Sequence, residues 1–577
     1  MRTHLLAMSF DAGASPQVYF SGLPQVVDPG KVPCGWGFGW YPEGERAASV
    51  IKDPNCRGDD PMVRMLQDWS HFRSTVFVSF VLGAADRRTH QDTHPFQLRH
   101  AGRDFLLSHN GELEDYIQGL PLGDYHPAGR TDSEHILCWL GSQFVDHGAD
   151  RLADLEWPLL HQWFQRINQL GTANLVLSDG LDLVFYRDQR AHNQAYWVRR
   201  LPQSGAARLR AGLVELDLSD AAQHNRTAVL FSTLPPEEED WTPMQPGQML
   251  VARRGKLLWN SLEASHSHSP HHPGGASQPA GSTAPPGRRR YRVVHETTYT
   301  YEQPVERSSH IFRLAPLSDR AQQLLEYDLQ ISVPGTRREY EDVFGNHTTL
   351  LEVETPFHQL RVVSTSLVEL RPPALDPNGI ALRRLSIPLA WMPWQRQMMS
   401  PYLLPPELPE NQLLELSDFA RAAVERSDYH LLDTLIDLNR TIHRDFKYAP
   451  LSTTLATTPY DVLWSRRGVC QDFANLLICL ARLLEIPARY RMGYIRTGSD
   501  YANQAQSEAS HAWVECYLPW IGWVGFDPTN GSLAGPDHIR VACGRTFIDA
   551  TPTAGTLFRG GGGEQLQVKV RTEIIPD

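Results

Sequence analysis

A segment near the middle of the chain constrains the fold more than any other feature of the sequence. Residues 261–290 read SLEASHSHSPHHPGGASQPAGSTAPPGRRR, a composition of Ser, Pro, Gly and His that cannot bury a core. We interpret it as a flexible linker that ends in a solvated junction at Arg288 to Arg290. The alternative is a metal site formed by its histidines, His266, His268, His271 and His272. The 577 residues are therefore expected to fold as separate units on either side of this linker.

Charge and cysteine content narrow the class of protein. The net charge of -12 argues against a general nucleic-acid binder. The 7 cysteines are scattered and show no metal-ligand spacing, so a reducing compartment, no metal and no cofactor are expected. The chain has neither an N-terminal secretory signal nor an apolar run long enough to span a membrane. These features predict a cytoplasmic protein without membrane contact.

The first unit, residues 1–260, mixes strands with helices. Apolar runs predict buried strands at 75–82, 105–108 and 248–260. Helical periodicity predicts helices at 134–144 and 152–170. Because no regular βαβ repeat connects these elements, we expect an α+β sandwich.

The second part of the chain changes character along its length. Residues 291–372 predict a small β-rich module, with strands at 291–301, 325–333 and 360–370 and a turn at 343–347. Residues 373–577 predict two helices at 411–426 and 431–446, a further helix from Cys470, and a strand-rich end at 488–575. We expect α+β architecture here as well.

The stretch 468–473, GVCQDF, places a cysteine on the first turn of a helix. Phe473, Leu477, Leu480 and Leu484 form one apolar face, and Ile486-Pro487 ends the helix. A thiol at this position feels the positive end of the helix dipole, which favours the thiolate. The alternative is an inert structural cysteine in an apolar helix.

Two segments downstream of Cys470 predict a hairpin that carries a histidine and an aspartate. Residues 510–517 and 523–529 alternate as strands, and pairing Leu518 with Gly522 brings Asp527 diagonal to His511 on one face. In that arrangement Cys470 would attack a carbonyl carbon, His511 would transfer the proton, and Asp527 would orient the imidazole. The backbone N–H of Cys470 would stabilise the oxyanion, and a second donor is not assigned. The alternative is that both residues are ordinary structural polar groups.

The motifs GVCQDFANLL, IPARYRMGY and SHAWVECYLPWIGWVGFDPTN, with the later His538 and Gly544-Arg545, resemble the bacterial transglutaminase-like proteins. The resemblance covers residues 291–577 and implies a papain-like cysteine-protease fold preceded by a β-rich module. It also implies a triad of Cys470, His511 and Asp527. Members of this family are hydrolases or acyl transferases that act through a thioester. The expected substrate is a peptide or protein amide, with a glutamine-containing one among the candidates.

Residues 1–250 carry a second resemblance. The segments GWG at 35–37, THPF at 93–96, SHNGE at 108–112 and RTDSE at 130–134 resemble class II glutamine amidotransferases, which have an N-terminal nucleophile hydrolase fold. The resemblance implies an αββα sandwich for this unit. The resemblance implies an oxyanion hole at Asn110 and Gly111 and a ligand amino-group site at Asp132.

Two departures from that family predict a degenerate amidotransferase domain. The family needs a cysteine directly after the initiator methionine, whereas this chain begins Met1-Arg2-Thr3 and its nearest cysteine is Cys34. The family's carboxylate-binding arginine aligns with Leu82. Thr3 could serve as the nucleophile only after removal of the two residues before it, which leaves a functional amidotransferase with an unusual nucleophile as an alternative.

The predicted organisation is an amidotransferase-like domain at 1–260, a linker at 261–290, a β-rich module at 291–372 and a transglutaminase-like core at 373–577. The leading hypothesis is a cysteine-dependent amide hydrolase or acyl transferase that uses Cys470. The alternatives are a scaffold protein that retains two enzyme folds without turnover, and a first domain that presents a glutamine-like ligand to the second.

Overall fold

The fold was analysed in a computed structural model, which divides the chain into two compact units, Met1–Gln278 and Pro279–Asp577. The structure describes residues 3–20, 35–54, 63, 72–82, 89–202, 208–211, 214–219, 225–234, 240–263, 288–371, 385–450, 452–454, 456–496 and 510–575. Most of the predicted linker, residues 264–287, therefore lies outside the described residues. Within the part of the chain that is described, no helix combines the length and apolar character needed to cross a membrane.

The first unit is built from strands with a smaller number of helices. Its strands are β1 (His4–Ala14), β2 (Gln17–Tyr19), β3 (Trp36–Trp40), β4 (Ser49–Asp53), β5 (Ser74–Val81), β6 (Phe96–His100), β7 (Arg103–Leu113), β8 (Gly171–Ser178), β9 (Asp182–Tyr186), β10 (Tyr196–Arg200), β11 (Arg208–Ala211), β12 (Val214–Asp217), β13 (Ala228–Ser232), β14 (Thr242–Pro243), β15 (Met249–Arg253) and β16 (Lys256–Asn260). Its helices are α1 (Tyr116–Gly119), α2 (Asp132–His147) and α3 (Trp157–Gln169), with a 3₁₀ turn at Leu152–Asp154.

Two large sheets stack in this unit. One has the order β14-β10-β13-β1-β5-β3-β4 and the other β16-β15-β9-β8-β7-β6. Apolar side chains such as Leu5, Val78, Leu106 and Phe185 fill the space between them. Helices α2 and α3 cover the outer face of the six-stranded sheet, which buries side chains such as Trp139. The α+β prediction is confirmed.

One detail of the first unit differs from the sequence prediction. The helix predicted at 152–170 is interrupted, because Pro158 lies in the first turn of α3 and favours a helix start there. The core against the seven-stranded sheet includes the helical residue Val63 and, from the small sheet β11-β12-β2, Leu209, Val214 and Leu216.

The second unit begins with a long strand and ends with two more strands. Its strands are β17 (Arg289–Phe312), β18 (Gln322–Ile331), β19 (Thr336–Glu341), β20 (His347–Val353), β21 (Phe357–Leu370), β22 (Lys447–Tyr448), β23 (Arg467–Gly468), β24 (Ala488–Ile495), β25 (His511–Leu518), β26 (Gly522–Asp527), β27 (Ser532–Leu533), β28 (His538–Gly544), β29 (Thr553–Gly560) and β30 (Gln565–Ile575). Its helices are α4 (Pro393–Leu403), α5 (Glu410–Arg426), α6 (Leu431–Asp445), α7 (Pro459–Ser465), α8 (Cys470–Leu483) and α9 (Phe547–Ala550).

Strand β17 organises the β-rich module. It pairs with β20, β21, β29 and β30, so the C-terminal strands return to the module at the start of the unit. Arg289 and Arg290 already belong to β17 and form ion pairs with Asp537 and Glu369, while their side chains stay 41% and 42% exposed, as expected at a solvated junction. The boundary predicted at residue 372 stays a prediction, although 553–575 pair with the module rather than with the strands of the core.

In the rest of the second unit, helices pack against a five-stranded sheet of order β27-β26-β25-β24-β28. Helix α8 buries the predicted apolar face, including Phe473, Leu477 and Leu480, against α5, α6 and the sheet. The same core includes Tyr291 and Val570 from the module strands. The N-terminus of α8 is thereby held in a fixed position beside the sheet.

Candidate active site

Cys470 is the first residue of α8, as the sequence predicts. The residue before it, Val469, has extended backbone, and its N–H donates to Asp472 Oδ2 at 2.8 Å. Thr453 Oγ donates to the same carboxylate oxygen at 2.6 Å, so Asp472 ties the helix start to an adjacent loop. The first N–H groups of a helix have no intrahelical acceptor, so the half-buried Cys470 thiol lies beside free backbone donors.

The hairpin of β25 and β26 has the predicted register. Leu518 pairs with Gly522 and Val514 pairs with Phe526, which places Asp527 opposite Trp513. His511 is the first residue of β25 and Asp527 is the last of β26. His511 Nε2 and Asp527 Oδ2 are 2.8 Å apart, and both side chains are fully buried.

The second ring nitrogen of His511 is directed to the cysteine. Among the residues that the structure describes, its buried Nδ1 has no nitrogen or oxygen hydrogen-bond partner. Burial alone would lower the pKa of His511, but the Asp527 carboxylate and then the Cys470 thiol raise it to about 10. The structure therefore brings the three predicted residues Cys470, His511 and Asp527 together in the order thiol, imidazole, carboxylate.

The Asp527 carboxylate accepts five hydrogen bonds. Oδ1 accepts from the backbone N–H groups of Thr529 at 3.0 Å and Asn530 at 3.2 Å. Oδ2 accepts from His511, from Asn530 Nδ2 at 2.7 Å and from His538 Nε2 at 3.1 Å. Burial alone would raise the pKa of Asp527, but the two imidazoles hold it far below its ordinary value. The group is therefore a carboxylate at neutral pH.

The contact between His538 and Asp527 was not predicted from the sequence. The motif comparison includes His538 without a role, because nothing in its spacing from Asp527 predicts a contact. Its Nδ1 accepts the backbone N–H of Gly535 at 3.2 Å, so the ring proton is on Nε2 and is donated to Asp527.

Among the described residues, the ligand atoms of His511, Asp527 and His538 lie within 4.8 Å of one another, a spacing that a metal ion could also use. Both Nε2 atoms already lie at hydrogen-bond distance from one carboxylate oxygen, and a metal would have to displace both protons. We therefore interpret the cluster as a hydrogen-bonded one.

The sheet has to curve for His538 to reach Asp527. Strands β26 and β28 are separated by β25 and β24, and three strand spacings in a flat sheet amount to about 14 Å. Trp513 lies inside the curve, fully buried, with its ring centroid 5.2 Å from His538 and 6.0 Å from His511. Gly493 leaves room for that ring, because a Cβ there would overlap the Ile539 carbonyl oxygen and lie 2.7 Å from Trp513 Cη2.

Replacing Gly493 by alanine should therefore damage both the fold and the site. We expect a loss of about 1–3 kcal/mol in the free energy of unfolding, because the strand or the tryptophan has to shift. Urea denaturation at pH 7 measures this change. Gly535→Ala is the control, since its added Cβ meets only Leu533 O at 3.9 Å. Equal stability of the two variants would contradict the packing described for Trp513.

The first unit holds the other predicted site residues. Asn110 and Gly111 lie on β7 opposite Asn174 and Ala173, and a Cβ on Gly111 would overlap a carbonyl oxygen of β8. Asn110 Oδ1 accepts from Asn193 at 3.3 Å. Its buried Nδ2 has no partner within the described part of the chain.

Asp132 is the first residue of α2 and has both carboxylate oxygens in use. Oδ2 accepts the N–H of Leu113 at 2.9 Å and Oδ1 accepts the N–H of Ser133 at 2.8 Å. Its side chain remains 19% exposed and lies 3.8 Å from His109. Leu82 is described and donates its N–H to Gly35, whereas Cys34 lies outside the described residues.

Comparison with known proteins gives three family matches along the chain. Residues 2–275 match the class-II glutamine amidotransferases, 291–369 match the bacterial transglutaminase-like N-terminal region, and 418–528 match the transglutaminase-like superfamily. The third match contains Cys470, His511 and Asp527.

Relatives and solved structures each match part of the chain. The uncharacterized protein Rv2569c of Mycobacterium tuberculosis is 32% identical over 309 residues, which are 50% of this chain and 94% of the relative. The uncharacterized protein MJ1515 of Methanocaldococcus jannaschii is 29% identical over 237 residues, 40% of this chain and 63% of the relative. The structure of a predicted glutamine amidotransferase from Pseudomonas aeruginosa is 24% identical with a TM-score of 0.37, and covers 44% of this chain and 99% of its own.

Both resemblances expected from the sequence motifs are confirmed by these matches. The chain therefore carries a class-II glutamine amidotransferase-like domain in its first unit and a transglutaminase-like core in its second.

Proposed function

We propose that the second unit cleaves or transfers amides through a thioester on Cys470. The observation that carries the proposal is the position of His511. One of its ring nitrogens is hydrogen-bonded to the buried Asp527, and the other lies beside the Cys470 thiol at a helix N-terminus. A nucleophile, a base and a group that orients the base are the parts that acyl transfer needs.

In the first half-reaction, His511 Nδ1 holds the thiol proton, because the raised pKa of this imidazole favours the imidazolium, and the Cys470 thiolate attacks the carbonyl carbon of an amide. The backbone N–H of Cys470 stabilises the resulting oxyanion. The C–N bond then breaks, and His511 gives its proton to the departing amine. The product of this step is a thioester and a free amine.

In the second half-reaction, water or an amine attacks the thioester. His511 takes a proton from the attacking group, the C–S bond breaks, and the sulfur leaves as a thiolate. Throughout, Asp527 holds the Nε2 proton of His511 and stabilises the imidazolium. Water gives hydrolysis and an amine gives acyl transfer.

Purified protein screened against peptide and isopeptide libraries tests this function, with Cys470→Ala as the matched control. We expect product formation by the wild-type protein and none by the variant. Adding a primary amine separates the two reactions, because a transferase yields the new amide and a hydrolase yields the free acid. Turnover that persists in Cys470→Ala would contradict the proposal.

For the first unit, we infer a binding site for an amide-bearing ligand without cleavage. Leu82 stands where the family's carboxylate-binding arginine aligns, while Asn110, Gly111 and Asp132 retain the family's positions. The unpartnered Nδ2 of Asn110 and the partly exposed Asp132 carboxylate are available to such a ligand.

Glutamine binding measured by calorimetry tests this inference. We expect a binding heat with the wild-type protein, at least tenfold weaker binding for Asp132→Asn since a hydrogen bond to a charged group is worth about 1.5–3 kcal/mol, and no ammonia release by either. The absence of any heat with wild type would contradict ligand binding. Ammonia release would instead support an active amidotransferase with an unusual nucleophile.

A further inference from the structure

We infer that His538 is a positioning residue that holds the Asp527 carboxylate in the orientation His511 requires. The inference rests on the proposed function of Cys470 and extends it to a fourth residue. The hydrogen bonds of His538 go to Gly535 and Asp527, so its effect on the thiol passes through the carboxylate that both imidazoles share.

The protonation state of His538 is set by its own surroundings. Gly535 donates a backbone N–H to Nδ1, so the neutral ring keeps its proton on Nε2, pointing at Asp527 Oδ2. A neutral donor stabilises the carboxylate without placing a second positive charge beside His511. A histidine held in this tautomer is therefore suited to orient Asp527 rather than to exchange protons with substrate.

The origin of the other donors makes His538 distinct. Apart from His511 and His538, the donors to Asp527 belong to Thr529 and Asn530. These residues come two and three positions after Asp527 in the chain and therefore move with it. His538 comes from β28, across two intervening strands. It therefore ties the carboxylate to the opposite side of the curved sheet, and Trp513 fills the space between the two histidines.

Charged and titratable groups face Cys470, His511, Asp527 and His538 from several elements. Asp527 faces His511 from β26, His538 faces the same carboxylate from β28, and Cys470 faces His511 from α8. Burial, and then Cys470 and Asp472 of α8, raise the pKa of Tyr490 on β24, which lies near both groups. A purely structural alternative exists, in which His538 only packs its ring edge-on against Trp513.

Two variants of similar size separate these roles. His538→Gln keeps an N–H donor near the position of Nε2, whereas His538→Met keeps the volume and removes the donor. The readout is the rate of Cys470 alkylation by iodoacetamide from pH 4 to 10, followed on the Cys470 peptide because Cys138, Cys479, Cys516 and Cys543 are also free thiols. Thermal unfolding of each variant confirms that it is folded.

We expect His538→Met to alkylate about 10- to 100-fold more slowly than wild type near pH 6, the effect of losing a hydrogen bond to a charged group. The acidic limb of its profile should move about one unit or more to higher pH, because a less well held carboxylate stabilises the imidazolium–thiolate pair less. His538→Gln should stay within about threefold of wild type, since the donor to the carboxylate is retained.

The outcomes distinguish this inference from the proposed function. A wild-type profile for folded His538→Met, or equal losses in both variants, would overturn the positioning role while Cys470 remains reactive. If Cys470 in the wild-type protein reacts no faster than in His511→Ala, the proposed function fails, and the role of His538 falls with it.

Discussion

Replacing His511 by alanine should lower the rate at which Cys470 is acylated by about 10²- to 10⁴-fold at pH 7. The imidazole is the only group that the structure places, among the residues it describes, between the thiol and the buried carboxylate. Its removal takes away both the base for the thiol and the acid for the departing amine, and general acid–base catalysis by a positioned histidine is worth that range.

The rate is measured as formation of the acyl adduct on the Cys470 peptide with an activated ester. His358→Ala is the control, because that histidine lies exposed on β21, outside the site. We expect the control to match wild type. A His511→Ala rate within threefold of wild type would show that the imidazole does not activate this thiol.

Asp527→Asn should have an effect of similar size for a different reason. Asp527 Oδ1 accepts from the backbone N–H groups of Thr529 and Asn530, and Oδ2 accepts from His511, His538 and Asn530 Nδ2. An asparagine has one oxygen and one NH₂ group, so either orientation points a donor at donors. The imidazole of His511 is then no longer held in the required tautomer.

We expect kcat/KM to fall about 10³- to 10⁴-fold. Replacing the aspartate that orients a catalytic histidine lowers the rate of other hydrolases by a similar factor. The free energy of unfolding should also fall by about 1–3 kcal/mol, because buried donors lose their acceptor. Asp328→Asn, at an exposed position on β18, is the control for both measurements. Unchanged kcat/KM in a folded Asp527→Asn protein would remove the carboxylate from the mechanism.

Local features of the site could be predicted from the sequence because they depend on neighbouring residues. The spacing of Phe473, Leu477 and Leu480 defines the buried face of α8 and leaves Cys470 at its start. The short loop between the two strands fixes their register, so Leu518 pairs with Gly522 and Asp527 lies within reach of His511. Periodicity and turn geometry are sufficient for both.

Features that depend on curvature and on distant pairing could not be predicted. The contact between His538 and Asp527 exists because the sheet bends around Trp513, and no sequence spacing encodes that bend. The return of β29 and β30 to β17 joins residues more than two hundred positions apart, and alternation alone does not select a partner strand. The start of β17 at Arg289 was hidden for a related reason, since its ion pair with Asp537 forms only in the folded unit.

The two units differ in which of their families' site residues they retain. In the second unit, the nucleophile, the base and the carboxylate are all present and adjacent. In the first unit, Asn110, Gly111 and Asp132 are present on β7 and α2, but Leu82 stands where the family's arginine aligns. We therefore propose that the covalent chemistry takes place in the second unit.

The central claim is that Cys470 forms the covalent intermediate, and peptide mass spectrometry after brief incubation with an activated acyl ester tests it most directly. We predict an adduct of the acyl mass on the peptide that contains Cys470, removed by hydroxylamine as a thioester should be, and absent from Cys470→Ala and His511→Ala. An adduct on any other cysteine in its place, or no hydroxylamine-sensitive adduct on Cys470, would contradict this account.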